Sequence, residues 1–138
     1  MAEAGASWLI GTWETTGETA DLTSIAYSWA IDKHVVLVDY LSRRGRSKGL
    51  IAYRAHDDKI VQVGADDQGG TGLGTWSDTD GHPTLIYEHT TAAGESRRIG
   101  IVFEKVDQNT AQVKLYDVSG SHELGNDPVH VAKFTRKK

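Results

Sequence analysis

From Trp8 to Arg136 apolar and polar residues alternate along most of the chain. A period of two is the mark of strands with one buried face. Trp8 to Thr15 opens the pattern. Leu22 to Asp32 follows, with Ile25, Tyr27, Trp29 and Ile31 on one face and Ser24, Ser28 and Asp32 on the other. Asp32-Lys33 makes a tight turn. His34 to Ser42 sets Val36, Val38 and Tyr40 against Val35, Leu37, Asp39 and Leu41. Arg43 to Gly49 reads as a basic hairpin loop, and Leu50 to Ala55 as the next strand, with Ile51 and Tyr53 on one face. His56 to Lys59 is a turn of the kind Asp favours, because its carboxylate can accept from backbone amides just ahead. Ile60 to Ala65 continues the alternation.

Asp66 to Gly70 forms a loop, and Thr71 to Ser77 a glycine-rich strand carrying Trp76. Its run Gly69-Gly70-Thr71-Gly72-Leu73-Gly74 lacks the Lys-Ser/Thr and the helix of a phosphate loop. It reads instead as a bent strand beside a bulky neighbour. Asp78 to Pro83, with its Asp-Gly pair, is a turn. Thr84 to Thr91 holds Leu85, Tyr87 and His89 on one face, and Ala92 to Glu95 turns the chain. Ser96 to Lys105 and Thr110 to Val118 are strands joined by a turn at Asp107 to Asn109. Ser119 to Asp127 is irregular, and Val129 to Arg136 is the last strand. Ahead of all this, Ala2 to Leu9 could form a short helical segment, too short to stand alone.

About nine or ten strands, each roughly ten to twelve residues from the next, suit an antiparallel barrel or sandwich. The connections are hairpin-length, so the economical fold is all-β: an up-and-down barrel of 1-138 as one domain. Closure removes the exposed edges. A barrel of this size has room inside for side chains or one small ligand. Glycine at Gly11 permits a sharp bend and a close backbone approach. Beside it, Trp13 can seal one end with the largest burial any side chain offers.

Composition narrows the classes. At 138 residues the chain can bury a core without staples. It has no cysteine, which removes disulfides, thiolate metal sites and a cysteine nucleophile, and fits a cytoplasmic protein. No secretory signal is visible at Met1 to Gly5, and the longest apolar runs are far too short to cross a bilayer as helices. A net charge of −4 and a pI near 5.8 argue against a general nucleic-acid binder.

Gly11-Thr12-Trp13 in the first strand and Arg136 at the end of the last resemble the calycins, the superfamily of lipocalins and fatty-acid-binding proteins. The resemblance implies that a basic side chain near the C-terminus packs across the first-strand tryptophan. Arg136 would then stack on Trp13 as a cation–π pair. The start Leu9 to Glu14, the segment Tyr27 to Asp32 and the strand Gly49 to Tyr53 are most similar to bacterial calycin-like proteins of unknown function, the DUF1579 type. The chain also resembles the nitrobindin type, ten-stranded barrels that bind ferric heme through a last-strand histidine. His130 has a similar placement. The chain departs from that type in lacking a Pro-Thr-Ile run in its second strand.

These features leave three functions open. The first is binding of a small hydrophobic or aromatic molecule inside the barrel, with Tyr27, Trp29, Tyr40, Tyr53, Trp76 and Tyr87 as candidate lining, since an apolar pocket with a few polar atoms is what such a site requires. The second is a cofactor-free isomerase, cyclase or hydrolase in the same cavity, for which His89, Tyr87, Asp39 and Arg98 are the candidates. Histidine and carboxylate can exchange protons near neutral pH when suitably placed. Asp39 interrupts an apolar row, and a buried carboxylate there would need a partner such as Arg97 or Arg98. The third is heme binding through His130. His34, His89 and His130 fall in strands, without the spacing of a local metal clip. His56, His82 and His122 fall in turns. Glu14, Glu88 and Glu104 lie in strands that face water in the ordinary case. The charges from Arg43 to Lys48 could draw an anion to a barrel mouth or simply keep a hairpin tip solvated. No membrane or nucleic-acid partner is expected, and a homodimer fits the commonest oligomeric class.

Overall fold

The computed structural model describes residues 7–15, 23–118 and 123–137. A 3-10 turn, Ser7–Leu9, leads into ten strands: β1 (Gly11–Thr15), β2 (Ser24–Ile31), β3 (Val35–Ser42), β4 (Gly45–Arg54), β5 (Lys59–Asp66), β6 (Thr71–Thr79), β7 (His82–Thr90), β8 (Ser96–Asp107), β9 (Thr110–Asp117) and β10 (His130–Arg136). Each pairs antiparallel with its neighbours in sequence, and β1 pairs β10, so the sheet closes into an up-and-down barrel. Trp13 sits at the seam, opposite Ile25 on one side and Arg136 on the other. Among the described residues no helix is long and apolar enough to cross a membrane.

Register decides which face points inward, because opposed residues in antiparallel strands share a face. Tyr27, Val38 and Gly49 stand in one row, and Trp29, Val36, Ile51 and Gln62 in the next. Buried Trp13, Tyr27, Val36, Val38, Ile51, Leu85, Phe103, Val113 and Phe134 mark these rows as the interior. The alternate positions of β3, Leu37, Asp39 and Leu41, therefore face outward. On that outer wall Leu50, Val63 and Leu73 form an exposed cross-strand row.

Several boundaries move from the sequence expectation. The first strand starts at Gly11, because the preceding carbonyls are claimed elsewhere. Leu9 O accepts from Trp13 Nε1 at 2.9 Å. Ile10 O and Trp8 O accept from Arg136 Nη1 and Nη2, both at 2.6 Å. The helical segment expected at Ala2 to Leu9 is, where described, only the 3-10 turn; residues 2–6 lie outside the described residues, as does His122. The basic loop Arg43 to Gly49 is mostly strand. The turn is confined to Arg43-Arg44, and Arg46 and Lys48 run up β4 because both pair with Asp39 across the ladder. The Asp78 to Pro83 turn shrinks to Asp80-Gly81, both at positive φ, so His82 and Pro83 belong to β7. Proline is tolerated there since pairing with β8 begins one residue later, at Thr84 opposite Val102. His34 lies in the β2–β3 turn, not in a strand.

The seam is held by a stacked ring and a forked guanidinium. Arg136 lies over the Trp13 ring with its Cζ 4.3 Å from the centroid. Gly11 has φ +131°, and a Cβ there would strike the Arg136 guanidinium. The expected stack of Arg136 on Trp13 is therefore present, together with a fork onto two carbonyls. Replacing Arg136 by Met removes the ring contact and strands both carbonyls. We expect a loss of about 2–4 kcal/mol, read as a lower urea midpoint at unchanged slope. Arg136→Lys should recover less than half of it, because an ammonium cannot reproduce the fork.

Candidate functional site

The barrel interior is not filled evenly. A cavity of about 270 Å³ lies at the end closed by the 3-10 turn. Leu9 and Ile10 roof it, and Tyr27, Val36, Ile51, Ile60, Trp76 and Pro83 form its walls. Exposed Ser77 and Asp78 stand at its mouth. The aromatic wall is braced. Trp76 stacks on Phe103 with centroids 5.3 Å apart, and Tyr27 meets Phe103 edge-on at 6.5 Å. Trp76 Nε1 donates to Gln62 Oε1 at 2.9 Å. Burial pushes the Tyr27 phenol well above the usual tyrosine range.

Of the six aromatic candidates, the cavity is lined by Tyr27 and Trp76. Trp29 points inward and packs against the core. Tyr40 and Tyr53 occupy inward positions at opposite rims and are 37% and 49% exposed. The Tyr53 hydroxyl donates to Asp58 Oδ1 at 2.6 Å. Tyr87 is half-buried deeper in the barrel and lies across the glycines of β5 and β6. A Cβ at Gly72 would overlap its ring, and one at Gly64 would meet its hydroxyl at 2.9 Å. The glycine-rich strand thus does sit against a bulky neighbour.

The four residues weighed for catalysis separate. Asp39 is on the outer wall, where Arg46 Nε and Nη2 donate to its two oxygens at 3.0 and 2.7 Å. Those bonds hold its carboxyl below the usual range. Its partner is thus Arg46, with Lys48 nearby, and not Arg97 or Arg98. Those two sit on β8, away from β3, and pair with Asp117 and Glu88. Arg98 is likewise on the outer wall. Glu14 and Glu104 also face out and lie near Lys137 and Lys114.

Tyr87 and His89 do share the inner face, at the end opposite the cavity. His89 Nε2 lies 3.0 Å from Asp66 Oδ2. The other Asp66 oxygen accepts from the amides of Gln68 at 2.9 Å and Gly70 at 2.7 Å. His89 and these two amides hold the Asp66 carboxyl below its ordinary range. An oriented imidazole of this kind can move a proton, but neither residue lines the cavity. Asp66 escapes a sequence reading because it sits at a strand end and meets His89 only through the register of β5, β6 and β7. His130 is exposed at the start of β10 and does not line the cavity. Among the described residues no group of three or more His, Asp or Glu could hold a metal ion. No protein-family model matches the chain, and no curated protein matches it.

The Asp66 arrangement carries a pH signature. Its carboxyl is depressed in the fold, so its stabilisation is present above the unfolded carboxylate range and fades as pH falls through the depressed value. Asp66→Asn should melt below wild type at neutral pH. The gap should narrow as pH is lowered from about 4, measured by thermal unfolding across a pH series.

Proposed function

We propose that this protein binds a small, largely apolar molecule in the cavity beneath the 3-10 turn, as a calycin-like barrel would. The observation that carries the reading is the cavity's size together with its lining. Its 270 Å³ is close to the lower end of ligand pockets, about 300 Å³, and well above the roughly 150 Å³ that suffices for benzene in an apolar core. The walls are aliphatic and aromatic, and Ser77 and Asp78 lie where a ligand would enter. The natural occupant on this scale is a one- or two-ring compound.

Size also sets an affinity. At about 0.5–0.6 kcal/mol per non-hydrogen atom, a ligand of about thirteen such atoms binds with a Kd on the order of 10 µM. Binding is favoured over heme ligation by His130 because His130 borders neither this cavity nor the buried core. It is favoured over catalysis because the oriented His89 stands at the far end of the barrel.

Trp76 makes the site its own reporter. Titration with a panel of non-fluorescent aromatic compounds should change the tryptophan emission saturably. Ile60→Trp, which fills the cavity from its wall, should abolish that response while leaving the melting temperature within a few degrees of wild type. Saturable binding that survives Ile60→Trp, or no binding by any compound of this size, would overturn the reading.

A further inference from the structure

The cavity wall holds few polar groups, and their commitments differ. The Trp76 indole N–H is already donated to Gln62. Indole can only donate, so the atom facing it must be the Gln62 carbonyl oxygen. The Tyr27 hydroxyl, by contrast, bonds no described residue, although Tyr27 is only 6% exposed. Among the described residues no side-chain polar atom is both sealed from space and unpartnered. The hydroxyl therefore keeps some accessible surface, and Tyr27 lines two voids. The small void beside Tyr27 measures about 10 Å³, at most marginal for one water. The large one is the cavity.

Charge excludes much of what could meet that hydroxyl. The cavity's lining residues contain no Lys, Arg or His, and their one charged member is Asp78 at the mouth. A carboxylate or phosphate on a ligand would lose its water without gaining a counter-charge, at a cost of several kcal/mol, and would also meet Asp78. An ammonium group could be held at Asp78, but that would leave the inner hydroxyl unanswered. A hydrocarbon would leave it unanswered too, and a buried donor with no acceptor is the costly case. The raised phenol stays protonated at neutral pH and so remains a donor.

Resting on the binding reading above, we infer that the cavity takes uncharged carbonyl compounds, such as aryl ketones, aldehydes or quinones. They bind with the carbonyl inward, its oxygen accepting from the Tyr27 hydroxyl. The apolar body lies against Trp76, Val36 and Ile51, and the ring edge points toward Ser77 and Asp78. No bond is made or broken; the hydroxyl selects and orients.

The test compares four naphthalenes substituted at the same ring carbon: the methyl ketone, the isopropyl compound of equal size, the carboxylate and the aminomethyl compound. Binding to wild type and to Tyr27→Phe is measured by equilibrium dialysis. In wild type the ketone should bind roughly three- to ten-fold tighter than the isopropyl compound, the span of one net hydrogen bond, and tighter than either charged compound. In Tyr27→Phe the ketone's advantage should vanish while isopropyl binding is kept. The apo variant should be about as stable as wild type, since the deleted hydroxyl has no protein partner to lose. Equal binding of ketone and isopropyl compound in wild type would overturn the carbonyl assignment and leave the cavity reading standing. Tighter binding of the carboxylate or the amine would do the same. An advantage that persists in Tyr27→Phe would overturn the role of Tyr27. Binding of none of the four would remove both readings. The wild-type comparison decides the ligand class even if the variant fails to fold.

Discussion

One guanidinium joins the two ends of the described barrel. Arg136 stacks on Trp13 and forks onto the carbonyls of Trp8 and Ile10. Those carbonyls belong to the segment that carries Leu9 and Ile10 over the cavity, so the roof of the candidate site hangs from the last strand. Trp13 adds a second tie through its indole N–H to Leu9 O. Gly11 is required between them, because any side chain there would occupy the guanidinium's place. The fold's closure and the site's shape therefore depend on the same few atoms.

The interior is divided by where glycine removes bulk. Gly64, Gly72 and Gly74 line the wall of β5 and β6, and Tyr87 lies across them from β7. That half of the barrel is occupied by a phenol ring and by the Asp66–His89 pair beyond it. The other half has Val36, Ile51, Ile60 and Trp76 on the wall of the cavity. Empty volume collects there. The aromatic residues are thus not a ring around one cavity; they are distributed between wall, filler and rim.

Much of the barrel was legible because alternation is a local property. Each strand announces itself through its own residues, and short turns such as Asp80-Gly81 leave an up-and-down order as the simplest connection. The direction of the faces was not legible, since either face of β3 is apolar: Val36 and Val38 on one side, Leu37 and Leu41 on the other. Only register against Tyr27 and Ile51 resolves them. Asp39 interrupts an apolar row, but that row faces water, where Arg46 and Lys48 answer it. The pairing of Asp66 with His89 and the lining by Leu9, Ile10 and Pro83 depend on contacts between distant segments, which no local pattern encodes. Where described, the segment ahead of β1 is a 3-10 turn whose Trp8 carbonyl is taken by Arg136 from the far end of the chain and whose Leu9 carbonyl is taken by Trp13.

The β1–β10 seam also has a kinetic meaning. Every other pairing in the barrel joins neighbours in sequence and can form as soon as its hairpin exists. The pairing of Trp13 with Arg136 spans nearly the whole chain. A non-local contact of this kind must wait until loop entropy has been overcome. As the chain emerges from the ribosome, β1 is made first and its outer edge stays open until β10 arrives. Through that interval Trp13 lacks its cover, and two strand edges stand unpaired, the condition under which chains associate wrongly. The charged side chains Arg46, Lys48 and Asp39 on the sheet's outer wall are already in place by then, ahead of the closure that finishes the barrel.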